Sequence, residues 1–374
     1  MRIVLLTAGV RGIGSYCINL YHMLRAQGHE VLLVSERPWE KEPLESFHQA
    51  HSLMLFGMAP VVYRPAELVE AVMAFSPDLI HHHWPCGTMD LLFGMIARHR
   101  IPYVVTIHVS LASKQHILDR FWYFLFSRFR KWVPYAAAVN CISDFVKSQL
   151  AERVPLPPEQ VHRIYAGINE QVFRPDAAQS MAQADPASLD RPIELLFVGQ
   201  IMPEKGIDRL VRAALQVSRD RSDIRLTIVG RGPLERGLRR LSRNHDNIRW
   251  VGFLSGQEAI AAYYAASDVT VLPTRWDEAF SLVPIESFAC GTPVIATARG
   301  GTPEQVTDGV TGYLLRDASV QELTTRLGGL DLQTLRGMRP ACRELVLQRH
   351  TLAKMGQSHE ELYRHILEKP PAHR

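Results

Sequence analysis

Two glutamates, Glu278 and Glu286, stand at a Glu-x7-Glu spacing inside the stretch DVTVLPTRWDEAFSLVPIESFACGTPVIATARGG, which runs from Asp268 to Gly301. Between them lie Ser281, Leu282 and Val283, where the pattern predicts the start of a helix running from Ser281 to Ala289. Backbone amides at a helix start have no intrahelical acceptor and favour an anion. Carboxylates beside such amides suit a ligand that is both polyhydroxylated and phosphorylated, since the carboxylates accept from hydroxyls and the amides donate to phosphate oxygens. The supporting elements are legible. Asp268–Leu272 and Pro293–Thr297 read as short buried strands. Pro284 falls in the helix's first turn, where a missing N–H costs little. Gly291 sits just past its end, where a left-handed residue closes a helix. The unit is strand–loop–helix–strand, and the loop carries the chemistry.

A cation is placed in the same way. The apolar run Ile193–Val198 predicts a strand, followed by Gly199, Gln200 and then Lys205-Gly206 ahead of a helix. A lysine at such a corner is a compact charge for a diphosphate. Nearer the N-terminus, Arg2–Thr7 reads as a first strand leading into Gly9-Val10-Arg11-Gly12-Ile13-Gly14. Glycines there let a backbone approach a phosphate or sugar closely. A dinucleotide-binding reading would use Glu36 at the end of the second strand, but Cys17 stands where the third glycine of that motif belongs. His81-His82-His83 invites a metal reading. Neighbours on a strand point to opposite faces, however, and no carboxylate or cysteine lies at a confirming spacing. No metal site is expected. His108 ends a further predicted strand in VVTIHVS.

The Asp268–Gly301 stretch resembles the donor-site signature of the retaining GT-B glycosyltransferases of family 4. Pro273, Glu278, Phe280, Glu286, Ala289, Gly291, Pro293, Val294, Gly300 and Gly301 match it in register. The resemblance extends to RAQGHEVLLVS in the first half, to Gly199…Lys205-Gly206, and to VHRIYAGINEQVFRPD, where Ala166 and Asn169 depart from the family pattern. It implies an α/β chain of two Rossmann-like, doubly wound domains facing across a cleft. It also implies that Glu278 reaches the donor sugar, that Glu286 binds the ribose hydroxyls, and that Phe253 and Leu254 lie where the base rests. Lys205 would meet the diphosphate. Gln200 occupies the usual arginine position, so Arg231 or Arg299 would have to supply the lost cation. Gly12, Ile13 and Gly14 would form a cleft loop near donor and acceptor, with His108 positioning the reactants. The implied reaction is front-side and metal-independent, without a cofactor, and the leaving phosphate itself takes the acceptor's proton.

With 374 residues, 47% hydrophobic and 21% charged, the chain is expected to form two globular domains. The expected boundaries are residues 1–175 for an N-terminal acceptor-side domain and 176–192 for a linker without apolar periodicity. Residues 193–353 follow as the donor domain, and 354–374 as a helix that the resemblance returns to the N-terminal domain. The net charge of +4 is too small to argue for nucleic acid. Five widely spaced cysteines form no C-x-x-C and read as reduced cytosolic thiols. The opening apolar run is interrupted by Gly9 and Arg11 and reads as a buried strand, not a signal peptide. Asp119–Trp132, DRFWYFLFSRFRKW, interleaves aromatic and basic residues. It reads either as a packed helix with a basic outer face or as a surface helix at an anionic bilayer. A cytoplasmic enzyme is expected, with peripheral contact at the inner membrane face in the second case.

The function expected is sugar transfer from a UDP- or GDP-linked donor to a hydroxyl on a sugar, lipid-linked or other acceptor, in glycan, glycolipid or polysaccharide biosynthesis. The alternatives are a GT-B nucleotide-sugar epimerase, an NAD-dependent oxidoreductase built on the N-terminal glycines, and a sugar-nucleotide-binding module without catalysis.

Overall fold

A computed structural model describes residues 1–8, 11–35, 44–50, 52–55, 59–62, 64–85, 99–111, 130–180 and 191–368. The chain divides into two compact units, Met1–Gly167 with Leu352–Arg374, and Ile168–Thr351.

The first unit is built on strands β1 (Arg2–Thr7), β2 (Glu30–Ser35), β3 (Phe47–Gln49), β6 (Leu79–Trp84), β7 (Tyr103–Ile107), β8 (Ala138–Cys141) and β9 (Val161–Arg163). They form a parallel sheet in the order β3-β2-β1-β6-β7-β8-β9, and a separate hairpin joins β4 (Ser52–Leu55) to β5 (Ala59–Val62). A parallel sheet is covered on both faces, so its strands need no polar alternation. β6 shows this, since every residue of LIHHHW is buried. The helices are α1 (Arg11–Ala26), α2 (Pro65–Ala74) and α3 (Asp144–Ala151), the last capped by Ser143 Oγ, which accepts from the Val146 amide. Of the expected glycine loop, Gly9 and Val10 lie outside the described residues, and the described part is helical. Gly12, Ile13 and Gly14 lie in the first turn of α1, because the helix already begins at Arg11.

The second unit contains β10 (Ile193–Val198), β11 (Ile224–Val229), β12 (Ile248–Gly252), β13 (Val269–Leu272), β14 (Val294–Thr297) and β15 (Gly312–Leu315), all parallel, in the order β12-β11-β10-β13-β14-β15. The chain winds outward one way from β10 and then the other way from β13. The loops after these two strands therefore flank the switch point, where doubly wound sheets bind ligands. One face is covered by α4 (Ile207–Val217), α5 (Glu235–Leu241) and, further along, α8 (Val320–Gly328). The other is covered by α6 (Gln257–Ala266), α7 (Leu282–Ala289) and most of α9 (Leu332–Arg349). In α4 the buried residues Ile207, Leu210, Val211, Ala214 and Val217 recur at helical spacing, the stripe that docks it on the sheet.

The unit boundary falls ahead of the 176–192 stretch expected as linker. Ile168 and Phe173 are already buried in the second core, and the short helix Pro175–Ser180 packs against α6. Residues 181–190 lie outside the described residues. The last helix, α10 (Leu352–Glu368), belongs to the first unit. Of the aromatic, basic stretch 119–132, only residues 130–132 are described, so its helix expectation falls outside them, as does Glu36.

One buried ion pair fixes the start of β13, the strand that delivers Glu278. Arg191 grips Asp268 with two bonds of 2.7 Å, and the Glu194 amide donates to the same carboxylate at 2.9 Å. The Asp268 side chain is only 2% exposed. Removing one partner of such a pair strands a buried charge and costs about 3–5 kcal/mol. Arg191→Ala is thus expected to lower the denaturation midpoint of the second unit. A urea melt unchanged within error would contradict this.

Candidate active site

Lys205 and Glu278 come from the two loops that flank the switch point of the second sheet. The Lys205 ammonium donates to Glu278 Oε1 at 2.6 Å, with the carboxylate nearly buried and the lysine 27% exposed. Their loops are joined along the backbone as well. The Arg275 amide donates to Glu204 O at 2.8 Å, and Thr274 Oγ1 donates to the same carbonyl. Two glycines make the close approach possible. Gly206 ends the Lys205 turn at φ +67°, and a Cβ there would stand 1.9 Å from Pro273 O. Gly300, at φ +58°, lies flat on the Glu278 backbone, where a Cβ would stand 2.2 Å from Glu278 O. The Gly301 amide then donates to that same oxygen at 2.8 Å. The Lys205-Gly206 and Gly300-Gly301 pairs therefore set the position of Glu278.

Glu286 follows on α7, half-buried beside Tyr264, whose hydroxyl donates to Oε2 at 3.0 Å. Burial pushes its carboxyl up to about 7, and the Tyr264 bond works against that rise. The helix end is held by Arg343, which donates to Ala289 O at 2.7 Å, and by Gly291 at φ +75°. At the other end the Ser281 amide donates to Gln305 Oε1 at 3.3 Å, while Gln305 Nε2 donates back to Ser281 O at 2.7 Å. Of the three amides expected to meet an anion, Ser281's is thus engaged. Leu282 and Val283, the first two helical residues, are the ones whose amides lack an intrahelical acceptor.

The remaining predicted residues sit around this centre in different ways. Gly199 follows β10 and Gln200 is exposed beyond it. Arg231 is exposed after β11, Phe253 is 64% exposed after β12, and Leu254 packs on the core. The Phe280 ring packs against His350 with centroids 5.8 Å apart. Arg299 lies 3.7 Å from Asp277, beside Glu278.

His108 stands in the first unit, in a buried histidine cluster. His83 Nδ1 and His108 Nε2 are 3.0 Å apart, and the His81 and His83 rings stack with centroids at 4.0 Å. His81 bonds Thr106 Oγ1 at 2.7 Å and the Tyr363 hydroxyl at 2.5 Å, while the Tyr16 hydroxyl meets His359 at 2.6 Å. The cluster thus holds α10 to β6 and α1. Among the described residues no group of three or more His, Cys, Asp or Glu could hold a metal ion. Sequence spacing could not reveal the parts played by Tyr264, Gln305, His359 or Tyr363, because each acts through a contact distant along the chain.

Two family models match the chain. Residues 10–172 match Glycosyltransferase Family 4, and residues 181–329 match Glycosyl transferases group 1. A D-inositol 3-phosphate glycosyltransferase of Frankia alni is 36% identical, with 83% of each chain covered. A GDP-mannose-dependent alpha-(1-6)-phosphatidylinositol monomannoside mannosyltransferase of Mycolicibacterium smegmatis is 31% identical over 52% of this chain and 53% of its own. Relative to several of these curated proteins the chain spans little more than half their length. Among solved structures, sucrose-phosphate synthase of Thermosynechococcus elongatus superposes with a TM-score of 0.79 at 25% identity, covering 98% of this chain and 99% of that one. The protein belongs to the group 1 glycosyltransferases, family 4, and its two Rossmann-like sheets are those of the GT-B class. No described helix is long and apolar enough to cross a membrane.

The histidine cluster predicts how stability depends on pH. Burial, with mutual repulsion at some members, holds His81, His83, His108 and His359 below their ordinary 6.5, His108 and His359 at about 3. The unfolded chain takes up protons on these groups below about 6.5 while the folded protein does not, so stability is lost as pH falls from there towards 3. His359→Gln is expected to flatten the slope by about one proton, or ~1.4 kcal/mol per pH unit. Denaturation midpoints measured between pH 7 and 4.5 check this, and parallel slopes for wild type and variant would contradict it.

Proposed function

We propose that this protein transfers a sugar from a UDP- or GDP-linked donor to an acceptor hydroxyl, with retention at the anomeric carbon. The observation that carries the reading is the Lys205–Glu278 contact at the switch point, with Glu286 on the helix that follows. In the reading, Glu286 accepts from the ribose hydroxyls and Glu278 from those of the sugar. Lys205 turns from Glu278 to the diphosphate, joined by the Leu282 and Val283 amides. These groups stabilise negative charge as it develops on the leaving oxygen, the term that dominates when the leaving group is a phosphate. The anomeric C–O bond to the diphosphate breaks as the acceptor oxygen bonds to the same face. The acceptor's proton passes to a phosphate oxygen, so no side chain is needed as base. His108, held neutral well below its ordinary value by burial, is assigned no base role. Glu278 orients the sugar and offsets the positive charge developing on it.

The two relatives, one described as GDP-mannose-dependent and both named for inositol-bearing acceptors, favour a phosphorylated polyol or glycolipid acceptor in glycan or glycolipid biosynthesis. A lipid-linked acceptor would give the basic, aromatic stretch 119–132 a peripheral membrane role, which sedimentation with anionic vesicles tests. The reading needs no metal, because Lys205 and backbone amides serve the diphosphate.

Glu286→Ala is expected to weaken UDP or GDP binding about ten- to a hundred-fold, the worth of a charged hydrogen bond. In the wild type, affinity should fall as pH drops through about 7, because protonation removes Glu286 as a full acceptor. Glu278→Ala should instead spare nucleoside diphosphate affinity and suppress turnover, with wild-type activity surviving EDTA. Calorimetry alongside mass spectrometry of donor incubations checks all four. Unchanged affinity in Glu286→Ala, or abolition by EDTA reversed by Mn²⁺, would count against the reading.

A further inference from the structure

Three arginines on the second unit line a cavity of about 190 Å³, and of these only Arg299 was also a candidate cation for the donor diphosphate. Arg209 comes from α4, Arg275 from the loop after β13 and Arg299 from the turn after β14, while Asp317 and Ala318 close the far side after β15. The cavity opens beside α4 and α8, whereas Glu286 and Tyr264 belong to the helices on the opposite face of the sheet. The 273–281 loop therefore borders both sites.

The charges in this cavity are unbalanced. Asp317 is its single carboxylate, and Asp317 Oδ1 already accepts from the Ser319 amide at 2.6 Å. Arg299 reaches Asp277 only at 3.7 Å, with both side chains near half exposure. Arg209 donates to Ala318 O at 3.1 Å and Arg275 to Pro203 O at 3.5 Å. Each guanidinium has five N–H donors in a fixed fork, a geometry matched to phosphate oxygens. Three such groups around one cavity repel one another until an anion enters.

We propose that this cavity is a second anion site, selective for a phosphate monoester or diphosphate, and that filling it fixes the loop bearing Glu278. Arg209 stands on a rigid helix. Arg275 lies three residues before Glu278, and Arg299 immediately precedes the Gly300-Gly301 turn that bonds Glu278 O. An anion bridging all three ties the loop and the turn to α4. The inference goes beyond sugar transfer and does not depend on it, and its test requires no turnover.

A soluble phosphate ester and a lipid phosphate headgroup share this chemistry, so the test has two arms. The full chain is titrated with pyrophosphate at constant ionic strength, with GDP and UDP saturating, and is sedimented with phosphatidic acid vesicles. The variants are Lys205→Ala, Arg275→Gln and R209Q/R275Q, where the glutamine at 209 retains a donor for Ala318 O and the exposed Arg275 can change without disturbing the core. Pyrophosphate should bind saturably despite the nucleotides and in Lys205→Ala. Affinity should drop at least tenfold in Arg275→Gln and further in the double variant. Pelleting that requires the same arginines, without pyrophosphate binding, assigns the site to a lipid headgroup instead. Trp276, half exposed in the loop, should shift its emission on filling, a signal absent in Trp276→Phe. The proposal is overturned if neither probe binds, if the arginine variants bind like wild type, if nucleotides displace the probe, or if Trp276 emission stays unchanged.

Discussion

The contact between Lys205 and Glu278 is the constraint on which the arrangement of the candidate site depends. It joins the loop after β10 to the loop after β13, the two strands at which the sheet reverses its winding direction. A doubly wound sheet leaves a crevice at that reversal whatever its sequence. This sequence puts a carboxylate there and holds it with an ammonium. Because Glu278 is nearly buried, an unpaired charge would be costly, and Lys205 offsets that cost. In the proposed reading the same cation turns to an incoming diphosphate, which would keep the site stable when empty and receptive to negative charge.

The backbone around the pair explains why so many small residues surround it. Gly206 against Pro273 and Gly300 against Glu278 are approaches that any Cβ would block. Gln305 ties the start of α7, and Arg343 ties its end. Glu286 is thereby fixed on a helix anchored at both termini, while Glu278 rides on a loop fixed by its neighbours. In the first unit a different device operates. Neutral histidines and tyrosines bond one another in a buried layer and bring the last helix onto β6, where charged groups would meet a large desolvation cost.

Much of the local structure around the candidate centre was legible in the sequence, because it is tied to local signals. The Glu-x7-Glu spacing, Pro284 inside the first turn and Gly291 past the last are positional requirements of one helix, and the helix formed within a residue of the expected bounds. The Ile193–Val198 strand and the Lys205-Gly206 corner were equally local. Five features misled or stayed hidden. Gly12 and Gly14 follow a strand as loop glycines would, yet glycine is also tolerated at a helix start, and periodicity does not separate the two. The 176–192 stretch has the composition of a linker, but Ile168 and Phe173 had already entered the second core. The engaged Ser281 amide, the Tyr264 donor and the arginine cavity depend on contacts between distant segments, which spacing along one segment cannot encode.

The most direct test of the account is a double-mutant cycle on Lys205 and Glu278, read by folding stability with and without nucleoside diphosphate. Without ligand, Lys205→Ala, Glu278→Ala and the double variant should show a coupling of about 1 kcal/mol or more, beyond the ~0.5 kcal/mol scatter of independent sites. Saturating UDP or GDP should shrink that coupling as Lys205 turns to the diphosphate. Additive effects in the ligand-free protein, or a coupling that nucleotide leaves untouched, would contradict the claim that one cation serves the carboxylate and the donor in turn.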